Sequence, residues 1–187
     1  MTDLARESSQ VDALHGGLPD FPRSFTGKGV LIGVIDTGFD FMHPAFRDAE
    51  GNSRIVHVWD QSGRNGNTPS MGYGVVFDTP ELIRSAAHDV SRDTHGTHVA
   101  AIAASSADVY KGMAPESDIV VVATDKSESG IIDALAYLLD YAEKEKKPIA
   151  INLSMGTVIG FKDGTDPIAS MIDELLDKSG KKCLMAI

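Results

Sequence analysis

One cysteine, Cys183, stands in 187 residues, so the chain can close no internal disulfide and build no cysteine-based zinc site. A single thiol also leaves the redox compartment open. Apolar runs are short: none approaches the roughly 18 residues that a membrane span needs. The N-terminal MTDLARESSQ lacks the apolar core of a signal peptide. Basic residues are scarce as well. Seventeen Lys and Arg against 27 Asp and Glu give a formal net charge of −10, which argues against a surface for nucleic acid and favours solubility. There is no internal repeat and no low-complexity segment.

What remains is an ordinary globular composition, 42% hydrophobic, long enough to bury a core as one domain over 1–187. Val30 to Ile35, Asp118 to Ala123 and Cys183 to Ile187 are continuous apolar runs, and Ile149 to Leu153 is interrupted only by Asn152. Strands buried on both faces read this way. Between them, 129–147 repeats Ile131, Leu135, Leu138 and Ala142 at helical spacing, with Ser129 as the expected cap. A second helix is framed by Asp166 as cap, Pro167 at its first position and Gly180 at its end. Strands alternating with helices imply an α/β fold with a mostly parallel central sheet flanked by helices. Residues 50–79 break the pattern: two β-like runs, Ile55 to Trp59 and Tyr73 to Phe77, joined by a Gly-, Asn- and Ser-rich connection, predict an inserted surface hairpin. Thr79 and Pro80 then open a short helix toward His88.

The chemistry centres on VLIGVIDTG, residues 30–38, which puts Asp36 at a strand end. Two kinds of protease present an aspartate in this frame. In aspartic proteases it is one of two carboxylates that activate water; such a fold is nearly all β and carries a small residue after DTG, whereas Phe39 stands here and helices are expected at 129–147 and 166–179. The other role is to orient a histidine. A partner for it lies in DTHGTHVAAIAAS, residues 93–105, where His95 begins a helix whose Ala100, Ala101, Ala103 and Ala104 are small enough for close packing on a sheet. Both residues then meet at the carboxyl ends of the strands, where open α/β sheets bind ligands.

VIDTG and HGTHVA, together with DFMHPAF (40–46), KGMAP (111–115) and INLSMG (151–156) in this order, resemble the subtilisin-like serine proteases, the subtilase family. The resemblance implies a three-layer subtilisin-like fold, incomplete at the C-terminus, and peptide-bond hydrolysis with Asp36 as the triad aspartate and His95 as the general base. It places Ser154, Met155 and Gly156 along the primary specificity pocket. It gives Ser129 and Gly130, in SESG (127–130), to a strand on the other side of a peptide or protein substrate, which would bind by strand addition. It implies no cofactor, and an extracellular or cell-envelope location.

The chain also departs from the pattern. No GTS-type segment supplies a nucleophilic serine: the GT pairs Gly96-Thr97, Gly156-Thr157 and Gly164-Thr165 are followed by His, Val and Asp. No AGN-type turn supplies an oxyanion asparagine. The expectation is the N-terminal part of a catalytic domain, inactive by itself, with uncovered apolar surface open to self-association. Calcium, which needs six to eight oxygens, is not expected, because Ala45 follows Pro44 and the 105–111 segment holds one carboxylate, Asp108. His95 and His98 lack a third zinc ligand, and His98 reads as a hydrogen-bonded core histidine. His43 reads as structural; His88, Asp40, Asp93 and the remaining acids read as solvated surface. Asn152 stays open between a satisfied core group and a substrate contact. Two other classes remain: a noncatalytic peptide-binding or regulatory domain that keeps the fold, and another α/β hydrolytic or metal-using enzyme.

Overall fold

A computed structural model describes residues 2–17, 23–91, 93–156, 163, 165–180 and 183–187. The central sheet is built from β1 (Leu31–Asp36), β2 (Ile55–Asp60), β3 (Val75–Phe77), β4 (Asp118–Ala123), β5 (Ile149–Leu153) and β6 (Cys183–Ala186), in the order β3-β2-β4-β1-β5-β6. All neighbours are parallel except the antiparallel pair β2 and β3. The helices are α1 (Thr2–Ser8), α2 (Val11–Gly16), α3 (Pro80–Ala86), α4 (His95–Ala104), α5 (Glu128–Glu145) and α6 (Pro167–Lys178). No helix among the described residues is long and apolar enough to cross a membrane.

Two separate cores explain the continuous apolar runs of β1 and β4, whereas the 183–187 run, expected to be buried on both faces, leaves Leu184 and Ile187 exposed. Successive side chains of a strand point to opposite faces. Val34, Ile119 and Val121 join Phe41, Phe46, Ile83, Ala100 and Ala104 on the α4 side. Leu31, Ile35, Val120, Val122, Ile149 and Ile151 join Leu135, Leu138, Ala142 and Ile172 on the side of α5 and α6. Gly33 of β1 lets α5 come close: a Cβ there would meet Leu138 Cδ1 at 3.0 Å and Ile149 Cδ1 at 3.1 Å.

Helix ends follow the capping chemistry with one change. Thr79 and Asp166 accept from Leu82 N and Ile168 N at the starts of α3 and α6. At α5 the cap is Ser127, which accepts from Gly130 N, and not Ser129, which sits inside the first turn. Both serines precede the same apolar stripe, and Asp125 decides between them by accepting from Ser127 N and Oγ at 2.8 and 2.7 Å.

Residues 50–79 depart from the expected surface excursion. They do pair as a hairpin, but β2 lies inside the sheet beside β4, with Ile55, Val58 and Trp59 fully buried. Two polar groups come in with it. Arg54 donates to the carbonyls of Ser117 at 2.9 Å, Ala45 at 3.2 Å and Ala104, the last at the negative end of α4. His57 sits between rings of α5, 4.4 Å from that of Tyr141 by centroid, with Nε2 2.7 Å from the Tyr137 hydroxyl.

Burial pushes His57 down from 6.5 to about 4, so the folded protein keeps it neutral while the unfolded chain takes up a proton below 6.5. The stability contributed by the neutral ring is therefore complete above 6.5 and is lost as pH falls toward 4. The loss should approach about 3 kcal/mol. Urea unfolding at pH 7 and pH 4.5 should show it, and His57→Gln should weaken that pH dependence. An unaltered dependence in the variant would remove His57 as its source.

Candidate active site

Because β1, β2, β4 and β5 are parallel, their carboxyl ends share one edge of the sheet. There β1 ends in Asp36, whose carbonyl accepts from Thr124 N just beyond β4 at 2.9 Å. α4 begins at the same edge with His95. The contact expected between the two is made: His95 Nδ1–H donates to Oδ1 and Oδ2 of Asp36, each at 2.9 Å. A carboxylate accepting at Nδ1 fixes the tautomer and leaves Nε2 as the proton acceptor. The Asp36 side chain is 3% exposed and that of His95 49%, so the orienting group is dry while the imidazole faces solvent.

Local sequence explains how the pair is held. The first N–H groups of an α-helix have no partner inside it. In α4 those of Gly96 and Thr97 donate to the carbonyls of Thr37 and Gly38 at 2.7 and 3.0 Å, which docks the helix start on the turn after Asp36. The Thr97 hydroxyl adds a second tie, donating to Gly38 O at 3.0 Å and accepting from Asp40 N at 2.8 Å. Glycine is required twice. Gly38 has φ +83°, and a Cβ there would stand 2.5 Å from the Asp93 carbonyl carbon; a Cβ on Gly96 would stand 2.7 to 2.8 Å from the Phe39 ring and Thr37 O.

The sequence pattern that defines the Subtilase family matches residues 27–186. The chain belongs to the subtilase family. Among curated subtilase relatives, Subtilisin-like protease PopC of Myxococcus xanthus (strain DK1622) is 32% identical over 139 residues, covering 70% of this chain and 25% of its own length. The Intracellular serine protease of Paenibacillus polymyxa is 31% identical over 161 residues, covering 82% of this chain and 42% of its own. The solved structure of the Clostridium perfringens CspB protease superposes with a TM-score of 0.68 at 28% identity over 86% of this chain and 36% of that one. The chain thus spans between a quarter and about two fifths of the length of these subtilases. Its α/β architecture, a six-stranded mostly parallel sheet between helices, is the subtilisin-like fold.

The other sites expected by analogy with subtilases separate into two groups. Ser154, Met155 and Gly156 follow β5 at the same sheet edge as Asp36, with Ser154 and Gly156 exposed and Met155 half-buried against the core. Asn152 donates from Nδ2 to Ser154 Oγ at 2.8 Å, a local bond that holds the serine. Ser129 and Gly130 do not form the expected strand. They lie in the first turn of α5, where Gly130 N–H donates to Ser127 Oγ at 2.9 Å and its carbonyl accepts from Gln61 Nε2 at 2.7 Å. With both its backbone groups occupied, Gly130 is not free to extend a peptide strand. Thr157 and Gly164, each half of a GT pair, lie outside the described residues.

His98 is exposed and not a core histidine, whereas His43 caps Ala45 N through Nδ1 at 3.2 Å. Among the described residues no three His, Cys, Asp or Glu side chains converge as a metal would require. Asp60 and Asp89, grouped above with the solvated acids, are buried. Burial raises both carboxyls above the ordinary range, against the pull of backbone N–H donors. The donors to Asp89 come from a segment some fifty positions away, so nothing local marks it, whereas Asp60 accepts from Ser62 N in its own turn at 3.0 Å. HGTHVA itself did carry the signal for Thr97.

Proposed function

We propose that this chain is the part of a serine endopeptidase domain that holds the aspartate and histidine of its triad. Asp36 orients His95 and stabilises the imidazolium, and His95 Nε2 takes the proton of a serine supplied by a longer protein. One observation carries the reading: Nδ1 of His95 is held by both oxygens of a buried carboxylate, while Nε2 has no partner among the described residues. A histidine kept only for structure gains little from a half-exposed ring with one nitrogen unused. Ser154 to Gly156 would line the substrate cleft as an edge to which an extended peptide adds, with main-chain bonds giving affinity and pockets giving specificity. The compartment is not fixed by kinship, as the relatives include an intracellular and an extracellular protease.

The 187 residues alone should not hydrolyse peptides. Among the described residues no hydroxyl reaches His95 Nε2 to give up a proton, and losing a single oxyanion donor costs roughly 100- to 1,000-fold. A fluorophosphonate probe should leave the 187-residue chain unlabelled and should label one serine of the longer protein. Stoichiometric labelling of a serine within 1–187 would overturn the assignment, as would a longer protein that cleaves peptides with no labelled serine.

A further inference from the structure

The turn that carries Asp36 into its contact with His95 is gripped from two sides, and only one of them belongs to the HGTH helix. α4 holds its carbonyls, through the N–H groups of Gly96 and Thr97. The N–H groups on the other side, those of Gly38 and Phe39, donate to Asp89 Oδ2 and Oδ1 at 2.8 and 3.2 Å. Asp89 returns its own N–H to Phe39 O at 3.2 Å, and Phe41 N donates to Ala87 O at 2.9 Å.

We propose that Asp89 is a positioning residue for the Asp36–His95 pair: its carboxylate fixes the N–H groups of Gly38 and Phe39 and so sets where the Asp36 carboxylate stands relative to the start of α4. It touches neither substrate nor the reacting atoms. A carboxylate suits the task because it accepts through two oxygens at once, and bonds from N–H to a charged acceptor are about twice as strong as neutral ones. An asparagine keeps one acceptor and turns an NH2 donor against the second N–H. Asp89 is fully enclosed, so no water can take the place of the lost oxygen without opening the turn. Gly38 is held on its other side as well, its carbonyl accepting from the N–H and the hydroxyl of Thr97, each at 3.0 Å.

The proposal rests on the reading of Asp36 and His95 as a catalytic pair, but its test does not need activity. In the 187-residue chain, solvent exchange of the His95 Nδ1 proton, followed by nuclear magnetic resonance, reports how well Asp36 shields it. Loss of a bond to a charged acceptor should accelerate this exchange by about ten- to a hundredfold in Asp89→Asn, while amides of the α5 core keep wild-type rates. A merely structural role would speed the Gly38 and Phe39 amides and leave the His95 proton unchanged, and that result would overturn the proposal. Should the asparagine variant not fold, Asp89→Glu, which displaces the same two oxygens by one methylene, is judged by the same criterion. Peptide hydrolysis by the longer protein reports separately on the catalytic reading. If that protein is active, Asp89→Asn should lower kcat and leave KM near its wild-type value.

Discussion

In a longer protein with the proposed serine, His95→Ala is expected to lower kcat by about 10⁶, because removing the base of a triad costs nearly as much as removing all three members. The rates are read from initial velocities on a fluorogenic peptide, with circular dichroism confirming the fold. Asp36→Asn should cost about 10⁴, since an amide in that position reverses the hydrogen bond at Nδ1 and selects the wrong tautomer. KM should change little in either variant, because Ser154 to Gly156 lie on another strand end. His95 is half-exposed at the first position of α4, so its replacement opens no core cavity, and any lost activity is chemical. A His95→Ala protein retaining most of its activity would sink the assignment of the base.

The second large effect concerns stability. Trp59 is fully buried in β2, 4.7 Å from the Tyr137 ring and 5.2 Å from that of Tyr73 by centroid, and its Nε1 donates to Tyr73 O at 3.2 Å. Trp59→Ala leaves a cavity and an unpaired carbonyl and should cost about 3 to 5 kcal/mol. Domains are stable by only about 5 to 15 kcal/mol in total. Urea unfolding should therefore show a midpoint lowered by about 2 M, or a chain already partly unfolded in buffer. Leu184→Ala, at an exposed position on β6, should leave the midpoint nearly unchanged. Equal shifts in the two variants would mean that the hairpin is not part of the cooperative core.

That hairpin also marks where the sequence was hardest to read. β1 and β4 were legible because both their faces are buried, which forces nearly unbroken apolar runs, and β5 through Ile149, Ile151 and Leu153 on its buried face. β2 carries His57 and Asp60 among its apolar residues, and such a mixture reads as surface unless the partners are known. Asp60 accepts locally from Ser62 N, but the partner of His57, Tyr137, is remote. The same reason hid Asp89, whose donors Gly38 and Phe39 lie some fifty positions away. Asp36 and His95 were legible because their proposed roles impose local requirements, a strand end and a helix start. SESG was misplaced because a serine that caps a helix and a serine in an extended cleft strand look alike in one dimension.

The order of the sheet has a consequence for how the chain acquires its structure. β4 lies between β1 and β2 and is the parallel neighbour of both, with Leu31 facing Asp118 and Ile55 facing Ile119. On its other side β1 waits for Ile149. Neither early strand can be paired on either flank by anything made before it. As the polypeptide leaves the ribosome, the aspartate strand is thus synthesised among the first and completed among the last. Such long-range pairing makes folding slow and exposes unpaired edges meanwhile. A nascent chain paused before residue 118 should display both edges of β1 and the edge of β2 that β3 does not cover, and release past residue 153 should be what completes the cover of β1.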